Sequence, residues 1–354
     1  AEHIKKIQHD VLEFELINHP TDCPVCDQAG ECALQDYYMT YDQAASRMTV
    51  PQVQKGKKMD FGCGVVHDQE RCIVCGRCVR FCREITKTGE LGIINRTDAA
   101  RVNIFPGQPL NNRYALNVVD LCPVGAMTSA DFRFKQRVWF MKKSPGICHG
   151  CSKGCNITID HNREKYRDDI IYRYRQLYNE QVNGYFKCDE GRLSYKGENE
   201  ERLKVPRLAK KERTLEDEQA ASAKANVSAD KIVVTVSPTS SLEQMITIKA
   251  LAEKLGATVC GYSDGYIKKG DGDDYLIQDD KSPNRAGLDL LGIDCSKATF
   301  ESALEKAQLL INFNNDLTLS FDAKKLDELL KDTKLIAVTP YDNACTALAD
   351  IAIP

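Results

Sequence analysis

Apolar residues recur along this chain with two different periods, and the change falls near residue 231. At the start, Ile4, Ile7, Val11 and Phe14 stand at three- and four-residue steps, which predicts an amphipathic helix over 1–17. From 231 onward, "KIVVTV", "ATVCGY", "LLINF" and "KLIAVT" are short continuous apolar runs that read as buried strands. Helical stretches such as 299–307 and 322–331 separate them. Ser241 with Gln244 forms a capping box for a helix that runs to about Gly256. Strands alternating with helices predict a parallel α/β sheet.

Between these regions the pattern is less regular. "RFKQRVW" (133–139) alternates charged and apolar side chains and predicts a half-buried strand. Its basic and aromatic mix would also suit nucleic acid, but an ordinary strand explains it. Residues 206–230 are polar and charged, and read as a linker or exposed helix. "DGDDYLIQDD" (271–280) lacks the EF-hand loop pattern and reads as a solvated loop. No G-x-G-x-x-G follows the first strand of the α/β region, so a dinucleotide site is not supported. Residue 1 is Ala and the chain stops on the strand-like "ALADIAIP", which suggests a fragment or trimmed chain.

Composition narrows the function. The 354 residues allow several domains, and the formal net charge of −3 argues against a nucleic-acid or anionic-membrane binder. No apolar run approaches the roughly 18 residues that span a bilayer. There are 16 cysteines, of which only Cys260, Cys295 and Cys345 follow residue 188. Clustered C-x2-C pairs in so long a chain point to metal on reduced thiolates rather than disulfides, hence a cytosol-like compartment.

The cysteines fall into three donor sets. His19, Cys23, Cys26 and Cys32 read H-x3-C-x2-C-x5-C. From spacing alone this set suits a structural zinc as well as an iron–sulfur cluster. Cys72, Cys75 and Cys78 stand at x2 intervals, so one tight loop can offer three thiolates to a [4Fe–4S] cube. The fourth donor is Cys122, followed by Pro123, or else Cys82. In two-cluster ferredoxins the last cysteine of such a run serves a second cluster, and no second C-x2-C-x2-C accompanies Cys122. Cys82 is therefore read as a spare thiol. Cys148, Cys151, Cys155 and Cys188 form the third set, which suits a [4Fe–4S] cluster or a zinc ribbon. Eleven cysteines and His19 make twelve donors, four for each of three clusters. The neutral imidazole of His19 removes one negative charge from its cluster and should raise the potential. Cys63, Cys82, Cys260, Cys295 and Cys345 are left over and read as small apolar residues. His149, inside the third loop, could hydrogen-bond a cluster sulfur. Surface placement explains His3, His9, His67, His149 and His161 as well.

Taken together, "NHPTDCPVCDQAGEC", "RCIVCGRCVRFCREI", "LCPVGA", "CHGCSKGC" and "VNGYFKCDEGR" resemble the large iron–sulfur subunit (the G subunit) of NADH:quinone oxidoreductase, respiratory complex I. "KSPNRAGLDLLG" and "ALADIAIP" resemble the same family's molybdopterin-oxidoreductase-like domain. The resemblance implies a multidomain α+β and α/β chain. A [4Fe–4S] domain with one histidine and three cysteine ligands would occupy 1–55, a ferredoxin-like [4Fe–4S] domain 56–140 and a four-cysteine [4Fe–4S] domain 141–206. A linker at 207–230 would lead to an incomplete Rossmann-like domain of molybdopterin-oxidoreductase type at 231–354. It further implies an electron relay from NADH and FMN towards quinone, with no catalytic residue in the chain itself. Its partners would be the FMN/NADH-binding subunit and the quinone-proximal iron–sulfur subunits, on the cytoplasmic side of a bacterial inner membrane and without a span of its own. The family normally begins with a [2Fe–2S] domain bearing C-x4-C-x2-C, and nothing of it is present. A molybdenum or tungsten oxidoreductase such as an NAD-linked formate dehydrogenase shares these motifs. Cys188-Asp189-Glu190 places acid where many pterin enzymes carry a Lys, which speaks against molybdopterin. The relay subunit of an NAD-reducing hydrogenase and a structural zinc scaffold are the other rivals.

Overall fold

The computed structural model describes residues 2–41, 46–162, 171–200, 202–208, 211–212, 228–262 and 264–354. Most of the expected linker, 213–227, lies outside these. The chain forms two compact units. One comprises Ala1–Gly146, Ile157–Tyr178 and Gly184–Tyr195; the other comprises Ile147–Asn156, Asn179–Asn183 and Lys196–Pro354.

The first unit is built from short strands and tight loops. Strands β1 (Met59–Gly62), β2 (Val65–His67), β3 (Leu91–Ile94), β4 (Arg101–Ile104) and β5 (Met127–Ser129) form two small antiparallel groups, β1-β2-β5 and β3-β4. Strands β6 (Met141–Ile147), β7 (Asn156–Asn162) and β8 (Ile171–Gln176) make a third, in the order β6-β7-β8. The expected first helix forms over Glu2–Leu16. Its periodic residues Ile4, Ile7, Val11 and Phe14 are nevertheless exposed, and only Leu12 is buried. Periodicity identifies a helix with an apolar face; it does not supply a neighbour for that face. The strand expected at 133–139 does not form. The segment is a series of turns leading into a 3₁₀ turn at Val138–Phe140, and β6 starts only at Met141.

In the second unit, strands β9 (Arg207–Leu208), β10 (Lys211–Glu212), β11 (Ile232–Val236), β12 (Thr258–Gly261), β13 (Leu309–Phe313), β14 (Lys334–Val338) and β15 (Ile351–Ile353) form one mixed sheet. Its order is β10-β9-β15-β14-β13-β11-β12, and the five strands from β11 to β15 are parallel. Each apolar run read from the sequence becomes one of these five. Their register places Val234, Ile311, Ile336 and Ile351 in one row across the sheet and Val233, Leu310 and Leu335 in the neighbouring row. Successive residues of a strand point to opposite faces, so both faces are apolar and need cover. The first row packs with Met245, Ile248 and Ala252 of the helix Leu242–Leu255. The second packs with Phe300 and Leu304 of Lys297–Leu304 and Leu326 of Ala323–Leu330. The capping box at Ser241 forms as expected, and Gly256 closes the same helix in the left-handed conformation. The acidic stretch 271–280 is a loop, pinned by Asp273, whose Oδ1 accepts the backbone N–H groups of Tyr275, Leu276 and Ile277.

Candidate metal centres

The first donor set lies on a loop between two helices. His19, Cys23, Cys26 and Cys32 all line one cavity, with Pro20, Asp22, Ala29 and Gly125 among the other walls. The His19 ring hydrogen-bonds the backbone of Arg71. Its Nδ1 is buried and has no partner. A histidine that engages a main chain through one ring nitrogen and leaves the other bare is arranged as metal-bound imidazoles are. Burial lowers the pKa of His19, so the ring is neutral and able to ligate. The same burial raises the Cys23, Cys26 and Cys32 thiols, so thiolates here require a metal's positive charge. Gly125 supplies a further constraint. A Cβ there would stand 2.2 Å from Cys26 Sγ, so only glycine leaves the sulfur its place.

The spread of the donors bears on which metal fits. Among the described residues, the only group of three ligand atoms lying within 4.8 Å of one another is His9, Asp10 and Glu13. One zinc ion with Zn–S near 2.3 Å would hold its sulfurs roughly 3.8 Å apart. The His19 set is more open than that and encloses a cavity, as a cluster requires.

The second set is shaped by backbone strain. Val74 has φ of 54° and Gly76 of 71°, so the loop winds tightly between Cys72 and the helix Arg77–Arg80. A β-branched residue in the left-handed region is an outlier, of the kind that persists where surrounding structure fixes it. Cys122 ends the short helix Asn117–Leu121, and Pro123 prevents its continuation. Burial pushes Cys78 up to about 12, and the neighbouring Cys122, Cys72 and Cys75 push the same way. These four thiols therefore face one another. Cys82 is fully buried and also pushed up to about 12, but by burial and Glu90. It sits in a π-helical turn, Phe81–Ile85, apart from that group. Backbone N–H groups of Val124, Met127 and Ala126 hydrogen-bond the Cys122 sulfur, Val74 and Val102 that of Cys72, and Gln35 and Leu34 that of Cys32. Such donors stabilise thiolate sulfur and tune clusters bound to it. The two sets are packed side by side: Cys32 shares an apolar cluster with Val124 and Ala126, against which Cys72 and Cys122 also pack.

Cys148, Cys151 and Cys155 lie together in the loop between β6 and β7, all buried, with Cys148 N–H donating to the Cys155 carbonyl at 2.8 Å. Cys188, in the first unit, is buried at the start of the helix Asp189–Leu193, and its Sγ accepts the Gly191 N–H at 3.3 Å. The leftover thiols differ from one another. Cys260 and Cys345 are core residues, Cys295 is half-buried, and Cys63 is exposed, with its Sγ directed to the Leu110 carbonyl. His149 is exposed. His67 is not a surface residue: it is fully buried, stacks on Phe61 and bonds the Ala126 carbonyl. The functional residues the sequence did not reveal are Gly125 and the three arginines around the first loop. Arg71 pairs with Asp22, Arg173 pairs with Glu31, and Arg137 donates to main-chain carbonyls.

Soft donors gathered around a void, with amides aimed at the sulfurs, define an iron–sulfur protein. Residues 8–47 match the NADH-ubiquinone oxidoreductase-G iron–sulfur binding region, and residues 41–128 the ferredoxin-like domain of NADH-quinone oxidoreductase subunit 3. The G subunit of NADH-quinone oxidoreductase from Rickettsia conorii is 35% identical over 260 residues, 72% of this chain and 38% of that protein. The G subunit from Streptomyces coelicolor is 36% identical over 213 residues, 60% of this chain and 25% of that protein. The chain belongs to the family of NADH-quinone oxidoreductase G subunits. It spans well under half the length of these relatives. A crystal structure of an NAD+-reducing [NiFe]-hydrogenase in the H2-reduced state matches with a TM-score of 0.34 and 24% identity, over 39% of this chain and 60% of that one.

Proposed function

We propose that this chain is the cluster-bearing part of an electron-transfer subunit of NADH:quinone oxidoreductase, passing electrons from NADH and FMN towards quinone. His19, Cys23, Cys26 and Cys32 hold one [4Fe–4S] cluster, Cys72, Cys75, Cys78 and Cys122 a second, and Cys148, Cys151, Cys155 and Cys188 a third. The clusters supply the redox chemistry. The protein sets their spacing, burial and charge. The observation that carries the reading is the shared packing of the first two donor sets, in which Cys32 and the Cys72 and Cys122 segments meet in one apolar cluster. Neighbouring clusters in one apolar core suit electron hopping.

The sheet in the second unit is proposed to be a Rossmann-like domain of molybdopterin-oxidoreductase type, kept as a scaffold without pterin. The acidic Asp189 and Glu190 beside Cys188 support that last point. The partners in this reading are the FMN/NADH-binding subunit and the quinone-proximal iron–sulfur subunits, on the cytoplasmic face of a bacterial inner membrane. Among the described residues no helix is long and apolar enough to cross a membrane, so attachment would be through the complex.

The test uses the assembled complex with Cys26→Ser in this chain. Reduction of quinone by NADH should be lost or fall at least tenfold, while reduction of ferricyanide by NADH persists. Quinone reduction at the wild-type rate, in a complex shown to lack the altered cluster, would exclude a relay through this site.

A further inference from the structure

Residues 133–140 do not form the strand their pattern predicts because their polar groups are directed at the first donor loop. Phe134 N–H donates to Asp27 Oδ1 at 3.0 Å. Arg137 donates Nη1 to the Cys26 carbonyl and Nη2 to the Pro24 carbonyl, each at 2.5 Å. Val138 and Trp139 close on Gly30, where a Cβ would meet them at 2.7 and 3.0 Å. The segment thus clamps the loop that carries Cys23, Cys26 and Cys32, from more than a hundred residues away in sequence.

Three guanidinium groups reach this loop, and their charges are balanced differently. Arg71 makes a two-pronged pair with Asp22, at 3.1 and 2.7 Å. Arg173 is shared between Glu31 and Asp160. Arg137 instead places its donors on main-chain carbonyls and stacks 5.6 Å over the Trp139 ring. Asp27 feels its charge without forming an ion pair with it. A guanidinium stays protonated at any pH a protein tolerates, so this is a fixed cation.

We propose that Arg137 is a positioning residue for the His19, Cys23, Cys26 and Cys32 centre, fixing the Pro24–Cys26 backbone and raising the centre's reduction potential by its permanent positive charge. The proposal rests on the iron–sulfur reading of that set. One-electron reduction adds one negative charge to a cluster, and a fixed cation beside the ligand loop favours the reduced form. The carbonyl bonds carry the positional part and the charge carries the electrostatic part. The two parts can be separated by substitution.

The full chain is reconstituted with iron and sulfide and titrated with dithionite through mediators, with EPR following each cluster. His19→Cys identifies the relevant signal as the one it moves. Arg137→Gln, which removes the charge, should lower that midpoint. Arg137→Lys, which keeps the charge but not the paired donors, should hold it near the wild-type value. The midpoint of the Cys72, Cys75, Cys78 and Cys122 cluster should move less in both. An unchanged midpoint in Arg137→Gln overturns the proposal, as does an equal fall in both variants. If Arg137→Gln fails to hold the cluster, Arg137→Lys decides: a wild-type midpoint supports the proposal and a lowered one rejects it. A wild-type chain with no signal that His19→Cys moves would overturn the iron–sulfur reading itself.

Discussion

Single atoms decide between donors here. Cys82 and Cys122 compete for the fourth place in the second set, and their surroundings separate them. Cys122 faces the Cys78 thiol and collects three backbone N–H groups, whereas Cys82 looks towards Glu90 and Leu91. Cys82→Ser should therefore leave every cluster signal intact, and Cys122→Ser should remove or convert one, as read by EPR and iron content. The reverse pattern would assign the ligand to Cys82. His67 makes a separate prediction. Burial lowers its pKa to about 4, and its Nε2 has no partner. The folded protein thus keeps the ring neutral, while the unfolded chain protonates below about pH 6.5. Stability from this residue is complete above that value and declines as pH falls towards 4. By pH 5.5 the loss should be on the order of 1 kcal/mol. His67→Gln should melt with a shallower pH dependence than wild type between pH 7 and 5.5; identical slopes would show that the ring does not titrate on unfolding.

At the scale of elements, sequence was most informative where one residue type can do the job. The C-x2-C intervals, the capping box at Ser241 and the apolar runs of the parallel sheet each follow from a local rule and correspond to local structure. It was least informative where distant segments meet. Residues 133–139 have a strand's alternation, but the Arg137 donors and the Phe134 N–H find better partners on the Pro24–Asp27 loop. Nothing near Gly125 announces that it makes room for Cys26 Sγ, because the two are about a hundred residues apart. The first helix was legible as a helix, yet its apolar stripe is exposed. His67 was misjudged as a surface residue because one histidine among β-branched neighbours carries no periodic signal.

Across the whole molecule, two architectures are joined in one chain. The first unit is low in regular structure, and its donor loops are held by N–H···S bonds, arginine clamps and strained turns. The second is a parallel sheet with helices on both faces and an ordinary apolar core. That contrast fits a division between cluster-holding and scaffolding parts, and it locates the chemistry in the twelve donors rather than in the sheet. The most direct test is to quantify iron, acid-labile sulfide, zinc and molybdenum per chain in protein purified without oxygen. Three [4Fe–4S] clusters predict about twelve irons and about twelve sulfides, with neither zinc nor molybdenum in stoichiometric amount. Fewer than about eight irons, or zinc in their place, would contradict the account.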